Sequence, residues 1–503
     1  MSILDRLRSG WRGLMTEGAA PAGYDGASGR RRVKNFGQSS THINALLASD
    51  APALRDRSRE LTRNHSNAKA AKRSYTANAV GTGIRTSFQH PEEGRNQALR
   101  QLYADWCWEA DADGIGDYYG LQALITRSVF VSGEAFVRRI DRRQSEDLAV
   151  PLQLQLIDPA QLPLWKTNML PDGGCIRMGI EFDSAGRRTA YWFLRRHPGD
   201  WTARIVLDDP ALFLRVPAAE VLHIFEPEEI GQIRGEPRMA PVLVDYWLMG
   251  QYDQAELERK RTGALFAGFI LEEDAENLST DGPASDDGTA EATMEPGTLQ
   301  VIKAKSIEFS TPPDVGAGYE PFQYRNQTKA AAGVGVPYAA TTGDLKGASY
   351  SSMRAGALEF RRQLEQFQWH TLIPQFCRPV TRWLLDAAVL SGRVPVAAGE
   401  WRRSWRAIMA KVTYVPARWD WVDPLKDIKG EQIAVACGFK ARSQVVEEQG
   451  YTAEEVDERR AADAARAQKL GLPAAPQPGD NTIGPPEHTG APDSEGGNTG
   501  GNP

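Results

Sequence analysis

Hydrophobic positions change period several times along this chain. Over 53–80, Leu54, Ser58, Leu61, His65 and Ala68 recur at steps of three and four, the spacing of one helix face. GTG at 81–83 marks its end, because glycine readily takes the conformation that closes a helix. Two more helices are expected over 95–131, divided near Gly114 and Gly116. From 133 to 225 the pattern is that of strands: EAFVRRI, LQLQLI, IRMGIEF, TAYWFL and VLHIF alternate or run apolar, with DPAQ, PDGG and DSAG as turns. Helix spacing returns over 239–266, where Leu243, Tyr246, Trp247 and Gly250 share a face.

A polar stretch at 273–296 follows, and then TLQVIKA and KSIEFS read as a hairpin, with AGFILEE as a candidate third strand. A short helix is expected over 320–333. Over 350–373, Met353, Ala357, Phe360, Leu364 and Phe367 form a narrow seam suited to another long helix. Pro374 should kink or end that helix, with more helix through 392. The tryptophans at 401, 405, 419 and 421 read as core. The 429–470 region reads as helical, with Ser443 an N-cap, Gly450 a C-cap, and Thr452 and Glu455 a capping box.

Composition changes this picture mainly at the ends. Residues 16–50 hold few large apolar side chains and read as an arm carrying Arg30, Arg31 and Arg32. Beyond 471 about half the residues are Pro or Gly, the composition of a disordered tail. With 503 residues, 41% hydrophobic and 25% charged, the chain has ample material for a core. The opening MSILDRLRSGWRGLM is amphipathic without a long apolar segment and is not expected to be a secretory signal. No apolar run reaches membrane-spanning length, so no membrane partner is expected. The four cysteines are far apart and read as packed apolar residues in a reducing compartment. A net charge of −6 argues against bulk coating of DNA, though not against loose contact with it.

Candidate chemistry is sparse. GVGVPYAATTGDLKGASYSSMRAG at 333–356 has the small residues of a phosphate-cradling loop. However, Gly343 precedes Asp344, Leu345 and Lys346, which is the wrong order for a nucleotide-binding P-loop. Seven scattered histidines form no metal-ligand pair. His223, inside VLHIF, reads as a satisfied buried imidazole rather than a base. Asp111, Asp113 and Asp117 resemble a calcium loop but lack the closing glutamate. No cofactor, metal site or catalytic set is expected. The cations of the first helix, among them Arg55, Arg59, Arg63, Lys69, Lys72 and Arg73, suit phosphates, an acidic partner, or simply a solvated face.

Five segments stand out in order: RSRELTRNHSNAKAAKRSYTANAVGTGI; GEAFVRR with LQLQLIDPAQL; VLHIFEPEEIGQIRGEPRMAPVL leading into YDQAELERKRTGALFAGFI; GVPYAATTGDLKGASYSSMRAGALEFRR; and RWDWVDPLKDIKGE. Together they resemble the portal proteins of lambda-type tailed phages. One departure is that Glu229 and Ile230 precede Gly231 and Gln232, where the family often has Arg-Pro. The resemblance implies an α+β portal fold assembled as a ring around a channel.

Carried onto this chain, it implies an N-terminal arm at 1–50, a first wing part at 51–238, and a stem helix at 239–265. It further implies a small β-containing clip at 266–318, a second stem helix at 319–333, a tunnel loop at 334–349, and a second wing part at 350–428. Crown helices at 429–470 and a disordered tail at 471–503 complete the assignment. The loop residues implied at the channel are Thr341, Thr342, Asp344, Leu345, Lys346 and Ser349, the alternative being an ordinary wing loop without DNA contact. The implied partners are sibling subunits in a dodecamer, double-stranded DNA, the terminase large subunit, the head–tail connector, and the major capsid protein and scaffold. The implied location is the portal vertex of the virion, with the host cytoplasm during assembly. The rival readings are a non-ring adaptor of the virion and a metal-dependent hydrolase or nuclease.

Overall fold

The computed structural model describes residues 40–89, 93–200, 212–265, 269–271, 306–308, 318–347, 349–394, 396–417, 419 and 424–472. Helices α1 (Ile43–Asn64) and α2 (Ser66–Val80) lead into β1 (Arg85–Phe88), α3 (Glu93–Glu109) and α4 (Tyr118–Ser132). Strands β2 (Glu134–Asp141), β3 (Leu152–Ile157), β4 (Asn168–Met169), β5 (Cys175–Arg177), β6 (Ile180–Phe182), β7 (Arg188–Leu194), β8 (Phe213–Pro217) and β9 (Val221–Phe225) follow. After α5 (Leu243–Leu265) come β10 (Phe269–Leu271), β11 (Ser306–Glu308), α6 (Tyr319–Val334), α7 (Tyr338–Thr342) and α8 (Tyr350–Phe367). The chain closes with α9 (Arg378–Leu390), α10 (Ala398–Met409), β12 (Val412–Val415), α11 (Pro424–Ala436), α12 (Arg442–Glu448) and α13 (Ala453–Leu470).

The sheets are small and antiparallel: β3-β2-β9, the meander β4-β5-β6-β7-β8, and the pairs β1-β12 and β10-β11. Two cores divide the interior. The larger gathers α2, α3, α4, α8 and α9 around Tyr75, Trp106, Tyr118, Phe130, Phe367 and Phe376. The smaller lies beneath the meander, around Phe136, Ile180, Tyr191 and Phe193.

Several expectations are corrected. The helix expected over 53–80 is two helices, because His65 takes an extended backbone and sets its ring edge-on to Tyr246 at 5.0 Å. The first of them starts at Ile43, inside the stretch read as an arm, and buries Ile43, Leu47 and Ala51. Residues 1–39, with the arginine triplet, lie outside the described residues, as do the tail beyond 472, TLQVIKA and Trp421. Within AGFILEE, Phe269–Leu271 pairs with Ser306–Glu308 of KSIEFS, Ile270 opposite Ile307. IRMGIEF is not one strand but two, folded back at Met178 and Gly179, both at positive φ. Trp247 does not share the buried face of Leu243 and Tyr246 but is exposed.

Pro374 does not stop its helix. The ten residues Gln368–Cys377 widen into a π-helix that carries the proline and runs straight into α9. A wider turn tolerates the missing N–H. This segment also supplies hydrogen bonds to other elements. The Gln368 amide donates to the Ala79 carbonyl at 2.7 Å, and Gln375 both accepts from and donates to the Phe225 backbone, at 2.9 and 3.1 Å.

Toward the C-terminus, α11, α12 and α13 bury no residue. Ala441, not Ser443, caps α12. Thr452 caps α13 by accepting from the Glu455 N–H at 3.2 Å. Glu455 does not reach back to complete a capping box; its carboxylate pairs with Arg85 and Arg459 instead.

A sealed ionic network ties the two cores together. The Arg234 guanidinium is 1% exposed at its side chain and grips the Glu134 carboxylate through Nε at 2.9 Å and Nη2 at 2.5 Å. Its remaining donors reach the carbonyls of Met178 at 2.7 Å and Leu162 at 3.1 Å. Glu134 also accepts from the Gly235 N–H at 3.0 Å and from His223 Nε2 at 2.9 Å. Its role toward Glu134 makes His223 Nε2 the protonated nitrogen, and Nδ1 faces Arg188 at 3.3 Å. Burial alone would raise the Glu134 pKa, but Arg234 and the hydrogen bonds from His223 and Arg234 outweigh it and hold the carboxyl well below the usual range. Burial pulls the His223 pKa down to about 4, against the opposing pull of Glu134.

Both groups therefore hold fewer protons in the folded than in the unfolded chain. Stability from His223 is complete above 6.5, the ordinary histidine value, and is lost as pH falls toward 4. Denaturation midpoints measured across this window should fall with pH in the parent and fall less in His223→Gln. Glu134→Gln strands a buried guanidinium and should destabilise the chain by about 3–5 kcal/mol in urea unfolding.

Candidate functional site

The glycine-rich stretch is a structured turn on a rigid base. Helix α6 ends at Gly335, in the left-handed conformation at φ 73°. Pro337 starts α7, which packs against α2. Gly343, at φ 74°, ends α7, and Ser349 caps α8 by accepting from the Ser352 N–H at 3.2 Å. Gly333 serves a different purpose from loop freedom. It lies inside α6, where an added Cβ would sit 2.4 Å from Val242 Cγ1, so it permits close helix approach.

Asp344 organises the tip. Its carboxylate accepts from the Lys346 N–H at 2.9 Å and from the Tyr338 hydroxyl at 3.2 Å, while its own N–H donates to Thr342 Oγ1 at 3.2 Å. Tyr338 lies edge-on to Tyr324 at 4.9 Å, and partial burial together with Asp344 raises its pKa. The tip then projects Leu345, 57% exposed, and Lys346, whose side chain is 85% exposed and 4.0 Å from an equally exposed Glu320. Thr341 is 3% exposed, and its hydroxyl is engaged by the Tyr338 carbonyl. It is thus part of the base rather than of the tip. The Thr342 hydroxyl likewise bonds the Tyr338 carbonyl, at 2.9 Å.

Arg238 fixes the root of this loop. It pairs with both oxygens of Glu226 at 3.1 and 2.9 Å, lies over the Tyr75 ring at 4.6 Å, and reaches the Val334 carbonyl at 3.5 Å. Sequence reasoning missed Arg238, Arg234 and Glu134. The available signal was a set of charges lodged inside apolar motif segments, GEAF and IRGEPRM.

The cations of α1 and α2 divide into two sets. Arg59 turns inward and holds both oxygens of Asp158 at 2.8 Å and Ser132 Oγ at 3.1 Å. Arg55 is largely buried beside it, and burial followed by Arg59 lowers its pKa. Arg63, Lys69 and Arg73 face outward with half-buried Lys72, and Arg127 of α4 joins them. Burial and this like-charged company lower the Lys72 pKa. None of these five cations has an ion-pair partner among the described residues.

No group of three or more His, Cys, Asp or Glu side chains is placed to hold a metal ion among the described residues. The carboxylate of Asp111 accepts from the N–H groups of Asp113, Ile115 and Gly116, making a turn of the segment that resembled a calcium loop. His223 and Glu134 are closed off at 1% and 4% side-chain exposure, which leaves no room for a substrate.

A mixed α and β chain with sealed polar groups and a projecting, braced loop has the makeup of a structural subunit. Residues 29–368 match the model of the phage portal proteins of the lambda family, and the chain belongs to that family. Its members are portal proteins, structural components rather than enzymes. The chain is 25% identical over 448 residues to a probable portal protein of Halomonas phage phiHAP-1, covering 85% of this chain and 83% of that one. It is 21% identical to the portal protein of Escherichia phage N15, covering 90% and 91%. Portal protein B of Escherichia phage lambda is 22% identical, covering 67% and 69%. Among solved structures, a chain from the neck of a native gene transfer agent particle is similar at a TM-score of 0.43 and 14% identity, covering 85% and 94%.

The loop geometry predicts that Asp344→Ala, which removes two acceptors worth about 1 kcal/mol each, raises tryptic cleavage after Lys346 at least about fivefold. Peptide mass spectrometry of timed digests checks this, with cleavage elsewhere unchanged.

Proposed function

We propose that this chain forms a twelve-membered ring at one vertex of a phage capsid and that double-stranded DNA passes through its centre during packaging and ejection. The observation that carries this reading is the projecting tip of Leu345 and Lys346, held on a braced base inside the segment that matches the family. One exposed lysine per subunit gives a sparse ring of charge, enough to guide phosphates and too little to hold them. Leu345, Lys346 and the half-buried Thr342 are the contacts proposed for the channel. Asp344 shapes the tip, Ser349 caps the next helix, and Thr341 supports from below.

Helices α5 and α6 are the proposed stem. They pair through Tyr252 on Tyr319 at 5.8 Å and Lys329 with Asp245 at 3.0 Å. Val244, Trp247, Leu248 and Leu257 of α5 and Phe322 of α6 remain exposed, as stem helices awaiting sibling subunits would be. The clip would lie at 266–318, the crown at 429–470, and the two wing parts at 51–238 and 350–428. The proposed clip partners are the terminase large subunit during packaging and the head–tail connector afterwards. The wing would meet the major capsid protein and scaffold. The ring would assemble in the host cytoplasm before joining the virion.

Imaging and mass measurement of the purified protein should give rings of about twelve subunits with a central hole. Deleting Asp344–Gly347 should leave that ring intact and abolish DNA packaging or retention. Capsids that fill and keep their DNA with the deleted ring would remove the loop from the channel.

A further inference from the structure

Two features of the surface are complementary and lie at opposite ends of β9. The first is the loop after it. Glu228 and Glu229 are exposed and have no ion-pair partner among the described residues, and Ile230 between them and Gly231 is 100% exposed. This protrusion is held in shape: Gln232 Oε1 accepts from the N–H groups of Glu228 and Glu229 at 2.7 and 3.1 Å, and Asn44 bonds the Gly231 carbonyl at 2.8 Å. Burial and the charges of Glu228 and Glu229 raise the pKa of nearby Glu236.

The second is a groove of about 540 Å³ between α9, α10 and the turn before β9. Its wall and floor are apolar, with Trp383, Trp405, Pro379 and Met409. Three arginines line it, Arg139, which pairs with Asp141, and Arg378 and Arg382. Arg382 stacks on Trp405 at 4.0 Å and Arg406 on the same ring at 4.7 Å. Arg378 lines the groove, and Arg406 is exposed beside it, each without an ion-pair partner among the described residues. The one carboxylate in the lining, Asp386, is occupied by the Trp401 indole N–H at 2.6 Å and by Arg382 at 3.8 Å.

We propose that the Glu228–Ile230 loop of one subunit seats in the arginine-rimmed groove of the next, with Ile230 on the indole floor and the glutamates on Arg378 and Arg406. Ala219 of the groove precedes β9 and the loop follows it. Five strand residues, about 17 Å, therefore separate the two within one chain, and the occupant is a second copy. A knob and a groove on different patches make a head-to-tail contact, the kind that closes into a ring. An apolar floor under an arginine rim fits an isoleucine flanked by carboxylates better than a nucleic-acid backbone, which needs a continuous track of cations.

The inference rests on the ring reading, and the test separates the two. In full-length protein carrying Cys437→Ser, Ile230→Cys with Met409→Cys should give an oxidative ladder of dimers and higher multimers that neither single cysteine gives. Glu228→Arg with Glu229→Arg should lower the ring fraction at least tenfold by mass photometry, with an unchanged melting midpoint as the folding control. Arg378→Glu with Arg406→Glu should do the same, and the four changes together should restore rings. Wild-type rings with no ladder, and reversals without effect, overturn the contact and leave the ring standing. A wild-type protein that stays monomeric at all concentrations overturns the ring itself. Loss of 30-base-pair duplex binding by Arg378→Glu with Arg406→Glu, without loss of rings, makes the groove a nucleic-acid surface and overturns the contact.

Discussion

The pairing of Glu134 with Arg234 is the constraint from which the rest of the architecture follows. Two charges sealed from water need full mutual satisfaction, because an unmatched ion inside a protein is strongly unfavourable. Here the matching fixes the start of β2 to groups 89 and 100 residues further on, His223 in β9 and Arg234 in the stretch after the Glu228–Ile230 loop. Carbonyls of Leu162 and Met178 bring in the meander as well. A pair with so many partners fixes register, since sliding β9 past β2 by one residue would move His223 to the opposite face of the sheet.

The same stretch carries that constraint outward. Four residues beyond Arg234, Arg238 holds Glu226, Tyr75 and the end of α6, from which the glycine-rich turn departs. The loop therefore combines a fixed root with a tip held by a few hydrogen bonds of Asp344. That division would suit the proposed channel loop, which has to meet a moving polymer. The base resists load, while the tip can open locally at an energy of a few hydrogen bonds, well below global unfolding.

Much of this was legible in the sequence, and what was not has identifiable causes. Strands β2, β3, β7 and β9 followed from alternating or continuous apolar runs and α8 from its seam at helical spacing, because these positions pack into the two cores. The split at His65 was not legible, because its apolar spacing continues through the break and only docking on Tyr246 decides it. Pro374 misled for a similar reason: the rule that proline ends a helix assumes α geometry, and the widened turn escapes it. The α1 and α2 cations looked alike as letters. Arg59 is committed by Asp158, 99 residues away, and Arg73 is not, a distinction made by long-range packing. The candidate loop was found from its glycines, but the roles within it divided only in three dimensions, with Thr341 inward and Lys346 outward.

The distribution of apolar surface sets how the chain is stabilised. The seam of α8 is buried at Phe360, Leu364 and Phe367 but open at Met353, and α11 bears exposed Leu425 and Ile433 while burying nothing. The C-terminal helices meet the body through ion pairs, Arg85 with Glu455, Arg100 with Glu458 and Arg354 with Asp427, which salt screens. A helix that buries no side chain gains little from its own chain, since helices in proteins draw most of their stability from packing an apolar face. Burial supplied by neighbours would shift folding of these helices by mass action, making their order depend on protein concentration while the two internal cores stay independent of it. In the proposed ring, these edges, rather than the two cores, are where assembly and folding would become one process.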